Sequence, residues 1–180
     1  LVPFRQLPML VIDKKYEICQ SIAIMNFIEK LAGLDIQDPI LNAKGNAIMQ
    51  SAQELFMPLN PTVNFSVGDA FKKKRDDMMP FLITRFEDLD RALKDNDDKF
   101  FLDNTPHACD FATFHHLDLS KLLDPKILNK FPRLEKFMED LISIDTIKSY
   151  LDTRPELIDV SVDPKLIIKG VAHPTGVKKT

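Results

Sequence analysis

Gln20-Ser21 invites a chemical reading first, because it stands where an apolar helical pattern begins. Ile22, Ile24, Met25, Phe27, Ile28 and Leu31 follow at mixed three- and four-residue spacing, and Gly33 stops the pattern. A helix start leaves backbone N–H groups unpaired, and the helix dipole favours negative charge there, so an anion fits. Ser21 adds a hydroxyl and Gln20 an amide. The plainer role for Ser21 is an N-cap. The two roles are compatible, since the cap position places the hydroxyl beside the anion. Other reactive types are scattered. Cys19 and Cys109 are far apart and flanked by apolar or small residues, which reads as buried thiols. His115 and His116 are adjacent, so on a helix they diverge and make no i, i+4 metal pair; with His173 they read as structural or surface residues. No Ser-His-Asp arrangement and no phosphate loop is present, and no metal is expected.

The elements that must position Gln20-Ser21 come next. Leu7 to Ile12 is an apolar run suited to a strand, Asp13-Lys14-Lys15 is a polar turn, and Tyr16-Glu17-Ile18 alternates like a short return strand. Residues 33–39 read as a linker. Beyond it the pattern predicts helices over about Ile40–Phe56, Asp69–Asp95, Ala108–Leu123, Lys126–Asn129, Pro132–Leu141 and Asp145–Leu151. Leu59-Asn60-Pro61 reads as a broken stretch. Phe81, Leu82, Phe86, Leu89 and Leu93 form the expected apolar side of the long helix, which Pro80 should bend. The tail from Thr153 reads as an extended wrap. The fold class is therefore α+β: a hairpin with one helix, then an all-helical bundle. A hairpin and one helix are too small to stand alone and must dock on something.

Composition excludes several classes. With 24 basic and 27 acidic residues among 180, nothing calls for nucleic acid or an anionic membrane. The basic run Lys72-Lys73-Lys74-Arg75 is followed at once by Asp76-Asp77, which suits a solvated helix face. No apolar run reaches the ~20 residues that span a bilayer. Two distant cysteines make no disulfide framework and suit a reducing, cytoplasmic compartment. The chain opens Leu1-Val2-Pro3 rather than Met, which reads as a cut or processed start.

Five segments in order carry a family resemblance. Phe4-Arg5-Gln6-Leu7-Pro8-Met9-Leu10 precedes and enters the first strand. Gln20-Ser21-Ile22-Ala23-Ile24 starts the first helix. Asp110-Phe111 sits in the first turn of the Ala108 helix. Phe131-Pro132-Arg133-Leu134-Glu135-Lys136-Phe137 follows Asp124-Pro125, and Ile147 to Leu151 closes the series. The chain thereby resembles glutathione S-transferases, mu-like first and sigma-like second. The resemblance implies the C-terminal part of a thioredoxin-like glutathione-binding domain over residues 1–33 and an all-helical domain over 40–180.

The resemblance also implies roles. Leu7 would pair its backbone with the cysteinyl backbone of glutathione, as a strand edge holds an extended peptide. Pro8 would be cis; on local sequence alone it reads as an ordinary trans proline starting a strand. Gln20 and Ser21 would hold the γ-glutamyl carboxylate, and Gln6 the glycyl end, unless Gln6 is simply exposed. Glu54 would serve the γ-glutamyl ammonium across a homodimer; a plain surface glutamate is the alternative. Phe4 would plug between helices of the partner subunit, or else enter its own core. The co-substrate is glutathione and the second substrate an electrophilic small molecule.

The family's thiol-activating Tyr or Ser belongs just after a first strand, in sequence before Leu1. Neither Tyr16 nor Tyr150 matches it, so no catalytic residue is assigned. A second departure is His107, which stands where the family has a Ser or Thr cap; it is expected to cap only as a neutral acceptor, at a loss of about 1 kcal/mol. Two functions follow: a conjugating enzyme of detoxification, or a non-catalytic glutathione-transferase-like binding or assembly protein.

Overall fold

The computed structural model describes residues 3–66, 68–94 and 98–154, and the backbone of 165–168 and 171–174. A short 3-10 turn at Pro3–Arg5 leads to strands β1 (Met9–Ile12) and β2 (Tyr16–Cys19), joined by the Asp13-Lys14 turn. They pair antiparallel with Met9 opposite Cys19 and Ile12 opposite Tyr16. Helix α1 (Ser21–Leu31) packs on this hairpin and against a later helix. It ends at Gly33, whose φ of +70° suits a residue without Cβ.

Helix α2 (Pro39–Gln53) starts cleanly. Asp38 caps it by accepting from the Ile40 and Leu41 amides at 2.8 and 2.9 Å, and Pro39 occupies the first turn, where its missing N–H costs nothing. The stretch expected to be broken is instead a helix, α3 (Phe56–Phe65), with Pro61 inside it. The break lies earlier, at Glu54-Leu55. Pro58 has no amide to donate to the Glu54 carbonyl, so the ladder cannot run through.

Helix α4 (Gly68–Lys94) is the long one. Leu82, Phe86, Leu89 and Leu93 are buried, at i, i+4, i+7 and i+11. Phe81 was expected beside them, but it falls off that stripe and is 41% exposed, with the Arg85 guanidinium over its ring. Helices α5 (Ala108–Lys121), α6 (Pro132–Ile142) and α7 (Asp145–Thr153) complete the bundle. The helix expected at Lys126–Asn129 is a run of turns, closed by bonds such as Ile127 N–H to Asp124 O. The expected wrap of the tail lies largely outside the described residues; its described part is an antiparallel pair, β3 (Lys165–Ile168) and β4 (Val171–Pro174).

Helix α5 runs through the middle of the core. Asp110 in its first turn is fully buried, and its carboxylate accepts from Phe101 N–H at 3.0 Å and His107 N–H at 2.8 Å. Burial pushes its pKa up; those amides pull the other way without cancelling the rise. Around it Phe100 and Phe101 meet Phe137 edge to face, as do Phe86 and Phe131.

Candidate functional site

The peptide before the first strand is shaped unusually. Phe4 and Arg5 hold φ of 58° and 53°, and the Leu7–Pro8 bond is cis. Leu7 is 79% exposed. Gln20, at the junction of β2 and α1, has φ 74° and ψ 121°. A non-glycine residue held there is strained, and such strain gathers at functional sites.

The cap position of α1 is Gln20, not Ser21, and it makes no side-chain cap hydrogen bond. Ser21 is the first helical residue. The reason is the turn at Gln20, which starts the helix one residue earlier than an Ser21 cap would require. Gln20 Nε2 donates instead to Gln6 Oε1 at 3.3 Å, joining two of the expected ligand-holding side chains. The first amides of α1 thus carry no side-chain cap of their own.

Gln6, Leu7, Pro8, Gln20 and Ser21 all line one cleft of about 700 Å³. Ile22 and Met25 continue the α1 wall. The opposite wall is α5, through Phe111, Ala112, His115 and His116, with Gln53 and Phe56 at the α2–α3 joint. His116 is buried; its Nε2 is 3.3 Å from Gln53 Oε1, and its Nδ1 has no partner. Burial, and then the neighbouring His115, lower its pKa to about 4, so the ring is neutral. Phe111 and His115 also border an adjoining cleft of about 330 Å³ between α5 and α7.

His115 and His116, read from the sequence as structural or surface residues, line this wall, and His116 is buried. The signal was present as positions 111, 112, 115 and 116, which make one helical stripe of Phe, Ala, His and His. Glu54 does not line the cleft; its carboxylate pairs with Arg85 at 3.1 Å. Phe4 is 73% exposed and so does not enter its own core. Tyr16 sits in β2 and is exposed, and Tyr150 borders the α5–α7 cleft rather than this one. Among the described residues no group of three His, Cys, Asp or Glu side chains could hold a metal ion.

The family model described as "Glutathione S-transferase, C-terminal domain" matches residues 60–154. The chain belongs to the glutathione S-transferase family. Probable glutathione S-transferase 6 of Caenorhabditis elegans is 26% identical over 158 residues, 86% of this chain and 76% of that protein. The class-mu 26 kDa isozyme 51 of Fasciola hepatica is 27% identical over 143 residues, 79% of this chain and 63% of that protein. Among solved structures, monomeric Na-GST-3 from the hookworm Necator americanus aligns with a TM-score of 0.77 at 24% identity, over 87% of this chain and 78% of that one. The glutathione S-transferase of Ascaris lumbricoides aligns at 0.70 and 23%, over 86% and 77%. At those identities the structural likeness concerns the fold: the C-terminal part of a thioredoxin-like domain followed by a helical bundle.

Proposed function

We propose that the chain is part of a glutathione S-transferase subunit that conjugates glutathione to electrophilic small molecules. One observation carries this reading: Gln6, Leu7, Pro8, Gln20 and Ser21 share a cleft wall that faces Phe111, Ala112, His115 and His116 on α5. The exposed Leu7 suits the cysteinyl stretch of an extended peptide. Ser21 and the uncapped start of α1 suit the γ-glutamyl carboxylate, and Gln6 the glycyl end. An electrophile would lie towards Phe111 and His115. Thiol activation is not assigned to any described residue, since neither Tyr16 nor Tyr150 lines this cleft.

The residue division at 1–33 and 40–180 goes with this reading, as does the mu class, with sigma second; the class-mu relative from Fasciola hepatica supports the class. A homodimer is proposed on Phe4. Its exposed ring would enter a surface groove of about 330 Å³ between α3 and α4 of the partner, bordered by Met57, Pro58, Pro61 and Met78 with Thr62, Lys74 and Asp77. In that dimer Glu54, 56% exposed at its side chain, would serve the partner's glutathione. Two unpaired thiols suit a cytoplasmic setting. No described helix is long and apolar enough to cross a membrane.

The test is retention on immobilised glutathione together with conjugation of a chromogenic electrophile. Binding with turnover supports the reading. Retention without turnover favours the non-catalytic binding protein. Failure to bind removes the assignments at Gln20 and Ser21.

A further inference from the structure

Helix α5 lacks the expected hydroxyl cap, and a substitute ties it to α1. Glu29, near the end of α1, accepts from the Ala108 N–H with Oε1 at 2.9 Å. His107, expected to act as a neutral acceptor, stands in a capping box with Asp110, and its ring also reaches beyond the helix. Nδ1 lies 3.1 Å from the Leu34 carbonyl and 3.4 Å from Glu29 Oε1. Nε2 lies 3.2 Å from Asp103 Oδ2. Carbonyl and carboxylate oxygens only accept, so a ring that bonds both neighbours must donate from both nitrogens, which is the imidazolium form.

The charged groups acting on the ring are all acidic: Asp103 from the preceding loop, Glu29 from α1 and Asp110 from α5. From α2 the nearby polar groups are Asn42 and Asn46, which border a water-sized cavity of about 10 Å³ shared with Glu29 and His107. Cys109 beside it is held as a neutral thiol, by burial first and then by Asp110. Burial opposes a charge on His107, yet the carboxylates outweigh it and raise its pKa above 6.5. Asp103 is half-exposed while Glu29 is mostly buried, so the α1 contact is the drier one.

We propose that His107, as an imidazolium, is a positioning residue for the cleft: it pins α1 to the start of α5, and losing its proton lets the two walls part. The geometry gives it that reach, because α1 carries Ser21 and α5 carries Phe111 and His115 on opposite sides of the cleft. The consequence for ligand rests on the glutathione reading above. A histidine whose folded pKa is raised stabilises fully below its unfolded value of about 6.5, and that stabilisation is lost as pH rises through the folded value. The seam is therefore tight below about pH 6.5 and loosens as pH rises through the raised folded value.

The experiment follows the ring nitrogens of His107 by NMR from pH 5.5 to 9, in the chain, in Asp103→Asn and in His107→Gln, alongside thermal melts and affinity for S-methylglutathione, which has no thiol to titrate. The expected result is a doubly protonated ring at pH 6.5 that titrates above it, at lower pH in Asp103→Asn. Affinity should fall roughly three- to tenfold between pH 6.5 and 8.5 in the parent chain and stay flat in His107→Gln. A neutral ring at pH 6.5, or melts of parent and Asp103→Asn with the same pH profile, would overturn the proposal; Asp103→Asn decides alone if His107→Gln does not fold. Absence of binding at every pH sinks the glutathione reading, while the ring titration and melts still judge the pin.

Discussion

Replacing His116 by Phe should flatten the acid side of the stability curve. The ring is buried, its pKa is lowered to about 4 by burial and by His115, and its Nδ1 has no partner. In the unfolded chain the same ring protonates at about 6.5. Between those values the unfolded state holds a proton that the folded state refuses, so stability falls as pH drops through 6.5 and the loss is complete below about 4. At about 1.4 kcal/mol for each pH unit between them, the full loss is about 3 kcal/mol, of which about 2 kcal/mol is reached by pH 5. Phe keeps an aromatic ring against Phe56, now 6.4 Å away edge to face, and has nothing to protonate. His107 does not confuse the result, since its raised pKa acts alike in parent and variant and cancels from the gap between them. Urea unfolding at pH 7.5, 6.5, 5.5 and 5.0 gives the comparison. The gap between variant and parent should grow by about 2 kcal/mol towards pH 5, in favour of the variant. A gap that stays constant across that range would refute the argument, because a packing difference alone carries no pH dependence.

Three further outcomes are expected. Asp110→Ala removes the acceptor for two buried amides and should lower stability by roughly 2–5 kcal/mol in denaturant titrations, while Asp110→Asn costs less. Asp38→Ala leaves the Ile40 and Leu41 amides uncapped and should cost about 1 kcal/mol in the same assay, with no change in ligand affinity. Phe4→Ala should shift sedimentation towards the monomer and leave the far-ultraviolet spectrum unchanged, since the exposed ring supports no core of its own.

Much of the architecture was legible in local pattern. The α1 start at Ser21 and stop at Gly33, the hairpin and the span of α4 follow from apolar period and turn chemistry. What escaped depended on single hydrogen bonds or on partners distant in sequence. Proline reads as a breaker, so Leu59-Asn60-Pro61 looked broken; the interruption falls instead at Glu54-Leu55, where Pro58 withholds its amide from Glu54. Phe81 counted as core by type, although the stripe set by Leu82, Phe86 and Leu89 turns it outward. At the site, Gln6, Leu7, Pro8, Gln20 and Ser21 come from two short segments, and the structure brings them to one wall. The stripe from Phe111 to His116 was readable in the sequence, but that it faces α1 was not, because the two meet only through tertiary packing. The same holds for His107, whose partners Glu29 and Leu34 lie more than 70 residues away.

The central claim is that the wall from Gln6 to Ser21 holds glutathione. Amide chemical-shift mapping with S-methylglutathione tests it most directly, using Ser21→Ala as the comparison. The account predicts saturable shifts centred on Gln6, Leu7, Gln20 and Ser21, extending to Phe111 and Ala112, and an affinity roughly ten- to a hundredfold weaker in Ser21→Ala. Shifts centred elsewhere, or an unchanged affinity in Ser21→Ala, would contradict it.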